Sequence, residues 1–93
     1  MSVQIDSMLV RSPDVCGGRL RIDGTRVTVL QIASLHKQGE QPEEIAAHFP
    51  HVKLAHIYTA LAWYHANKDE VEAELKQEQL EADSLRKQFE KPS

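Results

Sequence analysis

From residue 29 onward the apolar positions recur at helical spacing, and before residue 29 they do not. In "VLQIASLHKQ" the residues Leu30, Ile32, Ala33 and Leu35 mark a buried side, with Thr28 placed as N-cap and Gly39 as stop. A second helix restarts at once. Gln41 precedes Pro42 at the first helical position, and Glu43 and Glu44 fall in the first turn, where the helix dipole favours carboxylates. That helix, "PEEIAAHF", buries Ile45, Ala46 and Phe49 and ends at Pro50. After "HVK", residues 54–67 carry Leu54, Ile57, Tyr58, Leu61 and Trp63 or Tyr64 at helical spacing, which predicts a third helix. Residues 68–90 contain neither Gly nor Pro, and Val71, Leu75, Glu78, Ala82, Leu85 and Phe89 follow a 4-3-4-3-4 spacing. That spacing predicts a long amphipathic helix, or one that orders on a partner.

The front of the chain reads differently. "MLVRS" (8–12) is a strand candidate ending at Pro13, and "PDVCGG" is a loop by its Pro, Asp and paired Gly. "RLRI-DG-TRVTV" then alternates about Asp-Gly, a strong signal for a two-residue hairpin turn. With Asp23 and Gly24 as the turn, Ile22 faces Thr25, Arg21 faces Arg26 and Leu20 faces Val27. Leu20 and Val27 share one face, and Arg19, Arg21 and Arg26 share the other. The predicted fold is mainly α with a short N-terminal β-hairpin. Residues 1–67 form a helix-turn-helix or winged-helix-like domain, and residues 68–93 a charged amphipathic C-terminal helix or tail. A generic three-helix bundle gives the same pattern.

Ninety-three residues make one domain with a modest core, a size often completed by dimerisation. Apolar residues at 41% with aromatics at 5% predict a core of Leu, Ile, Val and Ala. The net charge of −3 sits entirely in residues 67–93, which hold five basic residues and eight acids. The body is neutral, with six of each, which argues against wholesale coating of nucleic acid. A lone cysteine, Cys16, excludes a disulfide within the chain and suits a reducing cytosol. No apolar run approaches membrane-spanning length and the N-terminus has no signal-peptide core, so the expected location is cytoplasmic.

The stretches "CGGRLRIDGTRVTV" and "LHKQGEQPEEIAAHFPHVKLAHIYTALAWY" resemble a small bacterial family, the domain of unknown function four-three-three. The shared elements are Gly18, Ile22, Gly24-Thr25-Arg26, Gly39-Glu40, Pro42-Glu43-Glu44-Ile45, Pro50 and the Ile57-to-Tyr64 helix, covering about residues 8–66. The resemblance implies a β-hairpin followed by a winged-helix-like or helix-turn-helix domain, usually dimeric. It also implies an antitoxin of a type II toxin–antitoxin pair, of the VapB kind, neutralising a PIN-fold nuclease-like toxin. The chain departs from the family pattern at Leu20, where Pro is common, and at Lys53 and His56, which replace a Thr cap and an Asp. The second departure removes acidic charge at the start of the third helix and favours contact with phosphate.

Three arginines on one hairpin face need counter-charge. Either Asp14, Asp23 or a helical acid supplies it, with Arg26 clamping the turn, or the arginines meet a phosphate or carboxylate. The third helix is the natural groove reader in such a fold, with Lys53, His56, Thr59 and Ala60 outward. The expected DNA contacts are therefore Arg19, Arg21, Arg26, Lys53, His56 and Thr59, in a homodimer, because so few cations bind weakly in one copy. His48, His51 and His56 are close in sequence but match no zinc signature, so neither metal nor cofactor is expected. Cys16 lacks an obvious base and the glycines spell no phosphate loop, so no enzyme is expected. Val71, Leu75, Ala82, Leu85 and Phe89 form a seam for a partner's groove, its acidity suited to a basic toxin surface. Self-association, or packing on its own domain, uses the same seam. Two functions follow: an antitoxin-like DNA-binding regulator, or a protein-interaction module of helix-turn-helix shape with no DNA affinity. RNA binding has little support, since few aromatics are available for stacking.

Overall fold

A computed structural model describes residues 4–89. Strand β1 (Leu9–Val10) pairs antiparallel with β2 (Arg21–Ile22), Leu9 opposite Ile22 and Val10 opposite Arg21. Helices α1 (Val29–Lys37), α2 (Pro42–Ala47), α3 (Leu54–Ala66) and α4 (Lys68–Phe89) follow in order. The mainly helical fold, the short N-terminal hairpin and the long last helix all agree with expectation. Among the described residues no helix is long and apolar enough to cross a membrane.

The hairpin itself is built otherwise than predicted. Thr25 N–H donates to the Ile22 carbonyl at 3.0 Å, so a turn does form at Asp23-Gly24. Gly24 has φ of 79° but Asp23 is not left-handed, whereas a type I′ hairpin turn needs positive φ at both. The Thr25 hydroxyl then donates to the Ile22 carbonyl at 2.9 Å and accepts from Val27 N–H at 3.0 Å. Those bonds hold the chain open through Arg26, and Ile22 N–H meets the Val27 carbonyl at 2.9 Å. Arg21 consequently lies opposite Thr28, not Arg26. The partner of β2 in the sheet is the earlier segment around Leu9, from beyond the loop.

The first three helices each begin with a side-chain cap from the third helical residue, reciprocal at α1. Thr28 Oγ1 accepts from Gln31 N–H at 3.1 Å while Gln31 Oε1 accepts from Thr28 N–H at 2.9 Å. Glu44 accepts from Gln41 N–H at 2.8 Å, and His56 Nδ1 accepts from Lys53 N–H at 3.1 Å. At the end of α1, Gly39 N–H reaches the His36 carbonyl and Glu40 N–H the Leu35 carbonyl, with Gly39 at φ 95°. This Schellman closure explains why a glycine stands there.

Two clusters form the interior. Ile22, Val29, Ile32, Ile45, Val52, Ile57, Ala60 and Leu61 join β2 to the first three helices. Leu30, Ala33, Tyr64 and Val71 form a second, against which Trp63 and Leu75 pack. Val71, at 1% exposure, therefore belongs to the core and is no partner contact. Burying one such side chain stabilises by roughly 1.5–3 kcal/mol.

The orientation of α3 also differs from expectation. Ile57, Ala60, Leu61 and Tyr64 are its buried set, while Leu54 and Tyr58 stand 39% and 52% exposed. The true set is i, i+3, i+4, i+7; Tyr58 lies about 100° round from Ile57. Ala60, expected outside, is completely buried. Ile57→Ala should cost about 2–5 kcal/mol in urea unfolding. Leu54→Ala, one turn earlier, should cost less than about 1 kcal/mol; equal costs would contradict this orientation.

Candidate functional site

The three arginines do not form one patch. Arg19 pairs with Glu78 of α4 at 2.9 Å, both side chains well exposed. Arg21 is 9% exposed and donates from Nη2 to Ser12 Oγ at 2.8 Å, while its Nε is buried without a partner. Among the described residues no carboxylate pairs with it. Arg26 is exposed on the open loop, and its carbonyl lies 3.5 Å from Cys16 Sγ. The register shift separates these side chains. The counter-charge for Arg19 comes from a helical acid, one of the expected sources.

The glycines before them have a clear purpose. Cys16, Gly17 and Gly18 take φ of 54°, 63° and 79°, three successive left-handed residues. Such a run is accessible to glycine and uncommon for a residue with a Cβ. It returns the chain from β1 to β2. Arg11 braces the loop by donating to the Gly18 carbonyl at 3.4 Å, with its guanidinium 5.9 Å from the Trp63 ring centre.

On α3, Lys53 is exposed at the cap. His56 is half-buried and committed to that cap. Thr59 is half-buried, donating to the Ala55 carbonyl at 2.8 Å and lying 3.4 Å from Met8 Sδ. The N-terminal segment thus lies over Thr59, one of the residues expected to read DNA, and leaves Lys53 exposed. The face left open carries Leu54, Ala55, Tyr58 and Ala62. His48 Nε2 sits 2.8 Å from Glu40, whereas His51 is exposed, so the three clustered histidines have separate surroundings.

Along α4 the predicted seam divides. Val71 is buried and Leu75 half-buried on the body, while Ala82 and Leu85 are exposed; the Phe89 side chain lies outside the described ones. Leu80, off the heptad seam and therefore missed, is 53% exposed. A polar latch holds the docked half. Tyr64 donates to Glu72 at 2.7 Å across the α3–α4 break, and Lys37 of α1 approaches Glu72 at 3.8 Å. The bond to Glu72, then burial, then the carboxylate's charge push the Tyr64 hydroxyl up to about 12. Glu72 is held below the usual carboxylate range by that same bond and by Lys37 and Lys68, against some desolvation. Sequence spacing offered no signal for this pair, because the break at Asn67 interrupts the helical count.

Residues 9–64 match the family described as "Protein of unknown function (DUF433)". The chain belongs to the DUF433 family. A crystal structure of a DUF433 member from Anabaena variabilis ATCC 29413 is similar to it at 26% identity and a TM-score of 0.70. That similarity covers 77% of this chain and 71% of the other. No curated protein matches the DUF433 chain.

Two outcomes follow for this DUF433 chain. Replacing the buried, unpaired Arg21 by Met keeps the stem's packing and removes the charge, so stability should hold within about 1 kcal/mol or rise. A larger loss on denaturant unfolding would show the guanidinium to be structural. Tyr64 is raised in the folded state, so its contribution is complete below pH 10 and declines as pH climbs toward about 12. Thermal melts from pH 8 to 11 should show that decline, and Tyr64→Phe should remove the part above pH 10.

Proposed function

We propose that this chain is an antitoxin-like regulator whose α4 is the arm that engages and neutralises a small nuclease-like toxin. The observation carrying the proposal is the divided helix: residues through Leu75 pack on the body, and beyond Glu78 the exposed Leu80, Ala82 and Leu85 face no part of it. Glu81 and Asp83 lie among them and Arg86 and Lys87 follow directly, so the arm offers a partner an apolar stripe flanked by charges of both signs. DNA binding is the weaker half of the reading. It rests on the α2–α3 arrangement, on exposed Lys53 and Arg26, and on a homodimer doubling those contacts. The open face of α3, with Leu54 and Tyr58, has few donors for base edges. That apolar face favours the second reading, a protein-interaction module with no DNA affinity.

A tagged full-length chain should capture a stoichiometric small nuclease-like protein from host lysate. A chain ending at residue 78, which keeps the docked half and the Arg19–Glu78 pair, should not. Capture by the shortened chain would end the arm proposal. Retention of DNA at low salt, falling steeply as salt rises and weakened by Lys53→Ala, would support the regulator; no retention leaves the interaction module.

A further inference from the structure

The shifted hairpin register has a second effect: it places Arg26 beside the α2–α3 connection. Between Gly24–Val27 and His48–Val52 lies an open cavity of about 330 Å³. Its inner side is apolar and anchored. Val52 is 7% exposed, and Val27 and Phe49 pack against the main core. Both walls are held by hydrogen bonds, from the Thr25 side-chain hydroxyl to the main chain on one side and from Val52 N–H to the Phe49 carbonyl, 2.9 Å, on the other. The site is therefore preformed.

Its polar groups are of one kind. Arg26 and His51 line the cavity, and among the described residues neither side chain has a hydrogen bond or ion pair. His48 also lines it but is engaged with Glu40. The Thr25 hydroxyl is already used twice. No carboxylate lines the cavity. An apolar floor beneath an unpaired guanidinium and an imidazole calls for a ligand with an apolar body and one planar anion. The volume is at the low end of the roughly 300–1,000 Å³ range of small-molecule sites and admits one ring and its carboxylate.

We infer that this cavity is a binding site for a small apolar carboxylate, with Arg26 forking onto the carboxylate, His51 donating a further bond, and Val27, Phe49 and Pro50 receiving the body. The site is separate from α4 and does not depend on the toxin reading. A fork-on-fork pair prefers a carboxylate to an isolated cation of the same shape, so charge and shape can be tested apart.

The test is a ¹H–¹⁵N NMR titration of the full chain with sodium benzoate, with benzylamine and inorganic phosphate as controls. Benzoate should give saturable shifts confined to residues 24–27 and 48–52, in the range of about 1 mM expected for so small a ligand. Benzylamine should give none, and phosphate should bind at least about tenfold more weakly. Arg26→Gln and Arg26→Ala, both at an exposed position, should weaken benzoate at least about tenfold, while Arg19→Ala should leave it unchanged. Absence of saturable benzoate shifts, equal binding of benzylamine, equal binding of phosphate, or undiminished binding by both Arg26 variants would each overturn the assignment.

Discussion

One threonine hydroxyl decides the geometry at the front of this molecule. Thr25 Oγ1 bridges the Ile22 carbonyl and the Val27 amide, and a hairpin that could have closed on two residues closes on four. Ile22, completely buried, is thereby fixed against β1 on one edge while its neighbour Arg21 meets Thr28 on the other. Thr28 is the N-cap of α1, so the turn also sets where the first helix starts and which way it points. Leaving the main chain to satisfy itself here would bury polar groups without partners, at about 1–3 kcal/mol each. The side-chain bridge avoids that cost. It also separates the arginines, sending Arg21 inward and Arg26 to the surface.

A comparable constraint acts at the other end. The α3–α4 break at Asn67 turns the chain so that Val71 falls into the cluster of Leu30, Ala33 and Tyr64. Apolar burial supplies most of the docking, and the polar contacts give it a register. Tyr64–Glu72 with Lys37 nearby fixes the start of α4, and Arg19–Glu78 ties the helix to the strand region two turns later. The last of these is exposed and contributes little energy by itself. Its effect is positional, marking where the body's hold on α4 ends.

The parts legible in the sequence were those governed by local chemistry. Thr28, Gly39 and Pro42 each announce a helix boundary through their own backbone preferences, and the structure has a boundary at each. The register of the Asp-Gly turn was not legible, because a Thr hydroxyl competing for main-chain groups leaves no mark on the alternation of apolar residues. Nor was the rotation of α3. Alanine is compatible with either side, so Ala60 gave no guidance, and Leu54 and Tyr58 resembled core. What covers Thr59 and fills the space near it is the segment around Met8, more than fifty positions away in the chain. The split of the α4 seam was invisible for a related reason: Val71 and Leu85 are equal members of one periodic pattern, and only tertiary packing distinguishes them.

The distribution of these features bears on where function resides. The segment matching the family ends at residue 64, at the tyrosine whose hydroxyl latches α4. Everything before it builds the scaffold: the turn, the caps, the main core and the carboxylate cavity. The exposed stretch beyond Glu78 lies outside that segment, free of the demands that core packing places on sequence. On the reading proposed, partner choice can change there without altering how the body folds. The charge pattern divides at the same place: residues 67–78 hold five acids against two lysines, whereas residues 79–93 hold three acids and three bases, so the excess negative charge runs along the docked half of α4. Had the arginines of the hairpin converged as their alternation implied, the body would have carried a cationic patch close to the acidic base of α4. Their separation, with Arg19 already neutralised by Glu78, leaves the acidic docked half of α4 as the dominant electrostatic feature of the molecule and the distal stretch balanced in charge.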